Sequence, residues 1–355
     1  MKKHNFSAGP CILPEKVFTK AADALLNFNA LDLSLIEISH RSVDFVEVME
    51  KARSLVKELL SVPEGYSVLF LQGGASLEFL MVPFNLMKKD GKASYLDTGA
   101  WANKAIKEAS LLGETLTLGS SKDKNYNYIP KDYNIPIDAD YFHCTSNNTI
   151  YGTQMKEFPS SPCAMVCDMS SDIFSRKINV ADFDLIYAGA QKNMGPAGTT
   201  LVIVKDEILG KTGRNIPTML DYTTHIKKDS MFNTPPVFAV YVSMLTLEWL
   251  KENGGVEEIE KINESKAQLI YNEIDRNSLF NGTASFEDRS TMNATFLLNE
   301  NTLEDTFNKM WIEAGCNGLK GHRSVGGYRA SMYNALPLSS VQVLVEIMQE
   351  LEKKA

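Results

Sequence analysis

The sequence predicts an α/β fold, with a mostly parallel sheet carrying helices on both faces in a large domain and a smaller α+β domain after it. Three observations lead there. Short apolar runs alternate with helix-like segments through the first two thirds of the chain, the signature of βαβ units. After about residue 258 the pattern changes to charged helices separated by isolated strand-like runs. At 355 residues the chain is also too long for one small core.

The elements follow in order. The first dozen residues, with Gly9-Pro10 and Leu13-Pro14, read as extended and are expected to pack on the small domain. The predicted division is therefore 16–258 for the large domain, and 1–15 with 259–355 for the small one. Residues 68–71 form a strand, Gly73-Gly74 turn the chain, and a helix runs over 77–87. A strand over 93–96 precedes Asp97-Thr98-Gly99 and a helix over 101–112. Strand-like runs at 141–144, 164–167, 183–187 and 200–204 continue the series. A helix over 237–252 starts after Pro235-Pro236 and stops at Gly254-Gly255. A long charged helix over 256–277 follows, then a strand over 293–298, a helix over 303–314, a short strand over 328–332 and a last helix from 339.

Composition narrows the function. A hydrophobic content of 44% with 23% charged residues is that of an ordinary soluble protein. A formal charge of −8 argues against general nucleic-acid binding, which needs a basic face, but permits a locally positive pocket for a small anion. The five cysteines are odd in number and irregularly spaced, so no disulfide framework is expected. Neither a His-x-x-x-His pair nor a Cys-x-x-Cys occurs, so no metal site is expected. No apolar stretch follows the lysines near the start, and the most apolar segment, 237–250, is shorter than the roughly 20 residues a membrane span needs. No signal peptide, no membrane association and a cytoplasmic location are expected.

The chemistry centres on Lys192. It follows the apolar run 183–187 in Tyr-Ala-Gly-Ala-Gln-Lys-Asn, and Asp168 closes the earlier run 164–167. The two stand 24 positions apart (192 − 168), about one crossover between neighbouring strands. Most lysines are solvated surface groups. Here small residues precede the lysine and a Gly/Pro turn, 193–198, follows it. A carboxylate at a strand end is often a helix cap, with Ser170 and Ser171 as rivals. Yet ligands on such sheets sit at the carboxyl ends of strands. A lysine and an aspartate there suit pyridoxal phosphate: the amine bonds the aldehyde and the carboxylate pairs with the ring nitrogen. Gly73-Gly74-Ala75-Ser76 joins a strand to a helix and can cradle a phosphate with backbone N–H groups. It lacks the dinucleotide and phosphate-loop fingerprints. Trp101 opens the next helix, where it can be core or can stack on a heteroaromatic ring. His40-Arg41, His322-Arg323 and Arg329 are candidate anion holders, since arginine forks match carboxylate and phosphate.

These residues together resemble the phosphoserine aminotransferase family, in the class V branch of the fold-type I pyridoxal-phosphate enzymes. The matching blocks are 5–10 (Asn-Phe-Ser-Ala-Gly-Pro), 37–41, 70–74, 187–198, 230–236 (Ser-Met-Phe-Asn-Thr-Pro-Pro) and 319–331, nearly end to end. The resemblance implies a seven-stranded sheet. It also implies reversible transfer of an amino group between L-glutamate and 3-phosphooxypyruvate, giving 2-oxoglutarate and O-phospho-L-serine, in serine biosynthesis. The sequence leaves 4-phosphohydroxy-L-threonine, of pyridoxine biosynthesis, undecided as a further substrate.

The resemblance implies residue roles too. Lys192 carries the cofactor, Asp168 holds its ring nitrogen, Trp101 stacks on the ring and Thr149 bonds the ring hydroxyl. Ala75, Ser76 and Gln191 hold the cofactor phosphate, and Asn233 and Thr234 complete that site from a neighbouring subunit, in a homodimer with shared active sites. Arg329 takes the substrate α-carboxylate. His40, Arg41, His322 and Arg323 receive the distal phosphate or the side-chain carboxylate of glutamate, some of them across the dimer. Some family members have arginine where this chain has Ser76, so phosphate contacts here lean on Arg41 and Arg323. The rivals are another class V enzyme (a cysteine desulfurase or an alanine–glyoxylate aminotransferase), a non-catalytic scaffold on the same fold, and a nucleotide-binding oxidoreductase.

Overall fold

A computed structural model describes residues 3–355. Seven strands form the central sheet: β1 (Tyr66–Leu71), β2 (Lys92–Asp97), β3 (Glu114–Ser120), β4 (Tyr141–Thr145), β5 (Ala164–Asp168), β6 (Leu185–Gly189) and β7 (Thr200–Lys205). Their order across the sheet is β1-β7-β6-β5-β4-β2-β3. All neighbours are parallel except β7, which runs antiparallel to both β1 and β6. Its direction follows from its connection. Residues 190–199 link β6 to β7, and a parallel return needs a crossover of roughly a dozen residues or more.

Alternate side chains of the strands enter two separate cores, as the two-residue period of a strand requires. On one face Phe70, Phe142, Cys167, Ile186 and Ile203 pack beneath the helices α1 (Glu15–Leu26), α2 (Val43–Leu59) and α5 (Val237–Glu252). On the other, Leu69, Tyr141, Val166, Tyr187 and Val202 pack beneath α3 (Gly74–Leu86) and α4 (Ala100–Ala109). Each such side chain contributes about 1.5–3 kcal/mol on full burial. Truncating Phe142, which has no exposed surface, is therefore a change of about 3–5 kcal/mol.

Helices α1 and α2 and strand β3 were not anticipated from the sequence. The buried residues of α2, Phe45, Val48, Met49, Ala52, Leu55 and Val56, do keep helical spacing. Strand β3 is an edge strand with no fully buried residue, so it shows no apolar run.

The second part contains α6 (Gly255–Arg276), β8 (Phe280–Gly282), β9 (Asn293–Leu298), α7 (Glu304–Glu313), β10 (Tyr328–Ser331) and α8 (Leu338–Lys354). The strands β8-β9-β10 make an antiparallel three-stranded sheet. Phe6 and Ile12 enter this second core, and His4–Asn5 pairs in parallel with Cys316–Asn317. The N-terminal segment thus ties the two parts together before the chain enters α1.

Candidate active site

The carboxyl ends of β4, β5 and β6, the amino ends of α3 and α4, the N-terminal segment and β10 surround one cleft of about 330 Å³. Lys192 lies in the turn that leaves β6. Its Nζ donates to Thr149 Oγ1 at 2.9 Å. Burial pushes its pKa down to about 8; the Asp168 carboxylate pulls the other way, and the Arg329 guanidinium adds to the fall. The amine is thereby brought close to the neutral, nucleophilic form. The turn is held from below and above. Cys11 Sγ donates to the Lys192 carbonyl at 2.6 Å, and Gly9 lies so close that a Cβ there would stand 3.4 Å from Lys192 Cγ.

Asp168 ends β5 and is buried. Burial raises its pKa, while the hydrogen bonds from Ser170 and the Lys192 charge act against that rise. One oxygen, Oδ1, accepts from Ser170 N at 2.9 Å. No helix follows Asp168, so this bond closes a turn rather than capping a helix, and the residue lines the cleft.

The turn into α3 forms because Gly73 adopts φ +89, where a Cβ would also stand 2.5 Å from Leu77 Cβ. The helix begins at Gly74, three residues earlier than expected, so Ala75 and Ser76 occupy its first turn. Backbone N–H groups there lack helical partners and favour an anion. Gln191 folds back over Gly189, where a Cβ would stand 2.7 Å from Gln191 Oε1. Trp101, in the first turn of α4, lines the same cleft with Lys104 Nζ 4.2 Å from its ring centroid.

Arg329, on β10, reaches across from the second sheet. Its Nη1 donates to the Thr149 carbonyl at 3.1 Å, and its buried Nε has no partner. Thr149 therefore touches both Lys192 and Arg329. His322 lines the mouth; burial lowers its pKa, and Arg329, Arg323 and Lys104 lower it further.

The structure thus brings Ala75, Ser76, Trp101, Thr149, Asp168, Gln191, Lys192, His322 and Arg329 into one cleft. It does not bring His40, Arg41, Arg323, Asn233 or Thr234 there. His40 is buried and Arg41 exposed, both just before α2. Thr234 lies behind the α3 turn, its carbonyl accepting from Gln72 Nε2 at 2.9 Å. Residues to which the sequence reading gave no place in the site also line the cleft, among them Ala8, Gly9 and Asn147, with Ser170 and Ser171, which it read only as rival caps. Ser170 and Ser171 stand two and three residues after Asp168, and that position beyond a strand's end is a signal that could have found them.

The chemistry present fits a pyridoxal group. A half-buried amine stands where an aldehyde could meet it, a buried carboxylate lines the same cleft, and a helix start suited to phosphate opens into the same space.

Comparison with known proteins agrees. Residues 3–344 match the family model "Aminotransferase class-V". The chain is 70% identical to the phosphoserine aminotransferase of Flavobacterium psychrophilum, over 100% of both chains. It superposes on the solved phosphoserine aminotransferase from Bacillus circulans subsp. alkalophilus with a TM-score of 0.96, at 43% identity over 99% of each chain. On the pyridoxal-phosphate-bound phosphoserine aminotransferase from Trichomonas vaginalis the TM-score is 0.93, at 34% identity over 98% of this chain and 100% of the other.

Proposed function

The chain belongs to the class-V aminotransferases and, within them, to the phosphoserine aminotransferases, and from that premise we propose that it moves an amino group reversibly between L-glutamate and 3-phosphooxypyruvate. The products are 2-oxoglutarate and O-phospho-L-serine. The observation that carries this reading is the cleft in which Thr149 joins the Lys192 amine to the Arg329 guanidinium above the Asp168 carboxylate.

Pyridoxal phosphate is the cofactor of this family, and when bound it supplies an aldehyde carbon that bonds amines and a ring that draws electrons from the substrate α-carbon. Every other part is the work of this chain. Lys192 offers an amine with a depressed pKa as the attachment point and, once released, takes and returns the proton at the substrate α-carbon. Asp168 holds the proton on the ring nitrogen, which keeps the ring electron-poor. Trp101 would offer the bound ring an aromatic face and Thr149 a hydroxyl for hydrogen bonding. The N–H groups of Ala75 and Ser76, with Gln191, hold the phosphate. Arg329 binds the substrate α-carboxylate through its fork and so presents the α-proton to Lys192.

The distal phosphate, or the side-chain carboxylate of glutamate, falls to His322 with His40, Arg41 and Arg323. We assign His40 and Arg41, together with Asn233 and Thr234, to the cleft of the neighbouring subunit of a homodimer. Their position outside the cleft of their own protomer supports this, as does the apolar surface near α2, where Leu26 is 82%, Ile36 60% and Val43 73% exposed. The separate cores support a large domain over 16–258 and a small one over 1–15 and 259–355. Among the described residues no helix is long and apolar enough to cross a membrane and all five thiols are free, which supports the cytoplasm as its place.

A cysteine desulfurase is disfavoured, because that chemistry needs a mobile, ionisable thiol. Cys316 is buried and paired beside the N-terminal strand, and burial pushes its pKa up to about 11.

An amino-transfer assay comparing 3-phosphooxypyruvate with its unphosphorylated counterpart tests the reading. The phosphorylated acceptor should be preferred on the order of 10³-fold in kcat/KM, and equal rates would overturn the assignment. Shared sites have their own test. Mixing Lys192→Ala subunits with Arg41→Ala subunits should restore activity, because one site of each hybrid dimer is then intact. A mixture no more active than its components would show the sites to be separate.

A further inference from the structure

Lys266 is a fully buried lysine. It lies on α6, has no exposed surface, and no carboxylate comes within ion-pair distance of it among the described residues. Its Nζ donates to three carbonyls, those of Met332 at 2.9 Å, Tyr333 at 2.9 Å and Leu336 at 3.1 Å. Lysine is the side chain that places three donors on one atom, which matches three converging carbonyls.

The turn it holds connects to the active site at three points. It leaves β10 after Ser331, two residues beyond Arg329. Tyr333 Oη donates to the Ala8 carbonyl at 2.7 Å, beside the glycine that packs on Lys192. Asn334 N donates to Asn193 Oδ1 at 2.9 Å, and Asn193 is the residue after Lys192. One turn before Lys266 on the same helix, Asn263 Nδ2 donates to Asn334 Oδ1 at 2.9 Å and to the Ser175 carbonyl at 3.0 Å. Asn334 Nδ2 in turn donates at 2.9 Å to the carbonyl of Phe174, a buried residue at φ +59, where a non-glycine backbone needs outside support.

We propose that Lys266 is a positioning residue for amino transfer, clasping the 332–336 turn so that Arg329 on one side and the Asn193–Lys192 turn on the other keep a fixed separation. This rests on the roles given above to Lys192 and Arg329. The separation matters because the α-carboxylate is held by Arg329 while the α-proton must meet Lys192, and a displacement of about 1 Å can cost on the order of 10²-fold in rate.

The test uses the cofactor-loaded enzyme and three variants: Lys266→Met, Asn193→Ala and the two combined. Lys266→Met should lower kcat with glutamate about tenfold, with KM and the loaded fraction unchanged. It should also speed amide exchange at 332–336 and 190–194 together. If the effect passes through the Asn334–Asn193 link, the double variant is no worse than the worse single one; independent effects would multiply. Kinetics per loaded site equal to wild type, with only a lower melting temperature, would reduce Lys266 to a stabilising residue and overturn the proposal, as would multiplying effects. Should Lys266→Met not accumulate, Lys266→Gln keeps the reach with fewer donors and is read the same way, with a smaller shift. A wild-type enzyme that transfers nothing from glutamate would instead sink the reaction assigned above, and coupled amide exchange would still report on the clasp.

Discussion

Lys192 is half-buried beside a cleft and Lys266 is fully buried, and their surroundings differ. Burial pushes Lys192 down to about 8 and Lys266 to about 7. Lys192 has one hydroxyl partner, an open cleft before it and a carboxylate lining the same cleft. Lys266 has three carbonyl partners and no cleft among those described. A low pKa by itself therefore does not mark a nucleophile. Lys192 is reactive because its amine is under-coordinated and reachable, whereas all three donors of Lys266 are taken up by carbonyls and no described cleft reaches it.

The largest effect that separates the two lysines is on turnover. Lys192→Ala should abolish the yellow colour of the loaded enzyme and lower kcat by on the order of 10⁴-fold or more, with the fold kept. A coloured, active Lys192→Ala enzyme would end the comparison.

The pH dependence of stability comes next. In the folded apo-protein Lys192 titrates near 8 against an ordinary value of 10.5, so between these values the unfolded chain binds more protons. Stability contributed by this group therefore rises with pH across that window, by up to about 3 kcal/mol, and falls away below it. Melting curves of apo wild type and Lys192→Met should differ in slope over this range. Lys266, pushed down to about 7, adds to the same rise, so Lys266→Met should also flatten the slope, whereas a slope unchanged in Lys192→Met would show that its amine is solvated.

The smallest effect concerns the atom that joins Lys192 to its surroundings. Thr149→Val keeps the shape and the carbonyl that Arg329 uses but removes the hydroxyl acceptor. A loss of about 1–2 kcal/mol in transition-state binding, roughly a tenfold fall in kcat/KM, is expected. An unchanged rate would show that the hydroxyl only fills space.

Much of the fold is legible along the chain. The runs at 141–144, 164–167 and 183–187 lie at strands β4, β5 and β6, and the helix expected over 237–252 is α5. Strand β3 is hidden because an edge strand needs no apolar run, and β7 declares itself as a strand but not as antiparallel. The cleft is legible in part. Lys192, Asp168 and Ser76 stand out because they follow strand-like runs. Asn147 does not, since its neighbours are polar and its partners Ser171, Asn293 and Ser290 come from elsewhere in the chain. Lys266 was hidden within a charged helix. It nevertheless falls on the series Val256, Ile259, Asn263, Lys266 and Ile270, whose spacing marks the face that α6 buries.

The order of amino acids alone determined the alternation of strands and helices, the strand-end placement of an acid and an amine, and the glycine turn that starts α3. All of these depend on spacings of a few residues, which the chain carries locally. Tertiary structure decided the direction of β7, the approach of Arg329 to Thr149, the N-terminal cover over Lys192 and the three carbonyls around Lys266. Each of these depends on desolvation and hydrogen bonding by groups far away along the chain, and such groups act only once folding has brought them within a few ångströms.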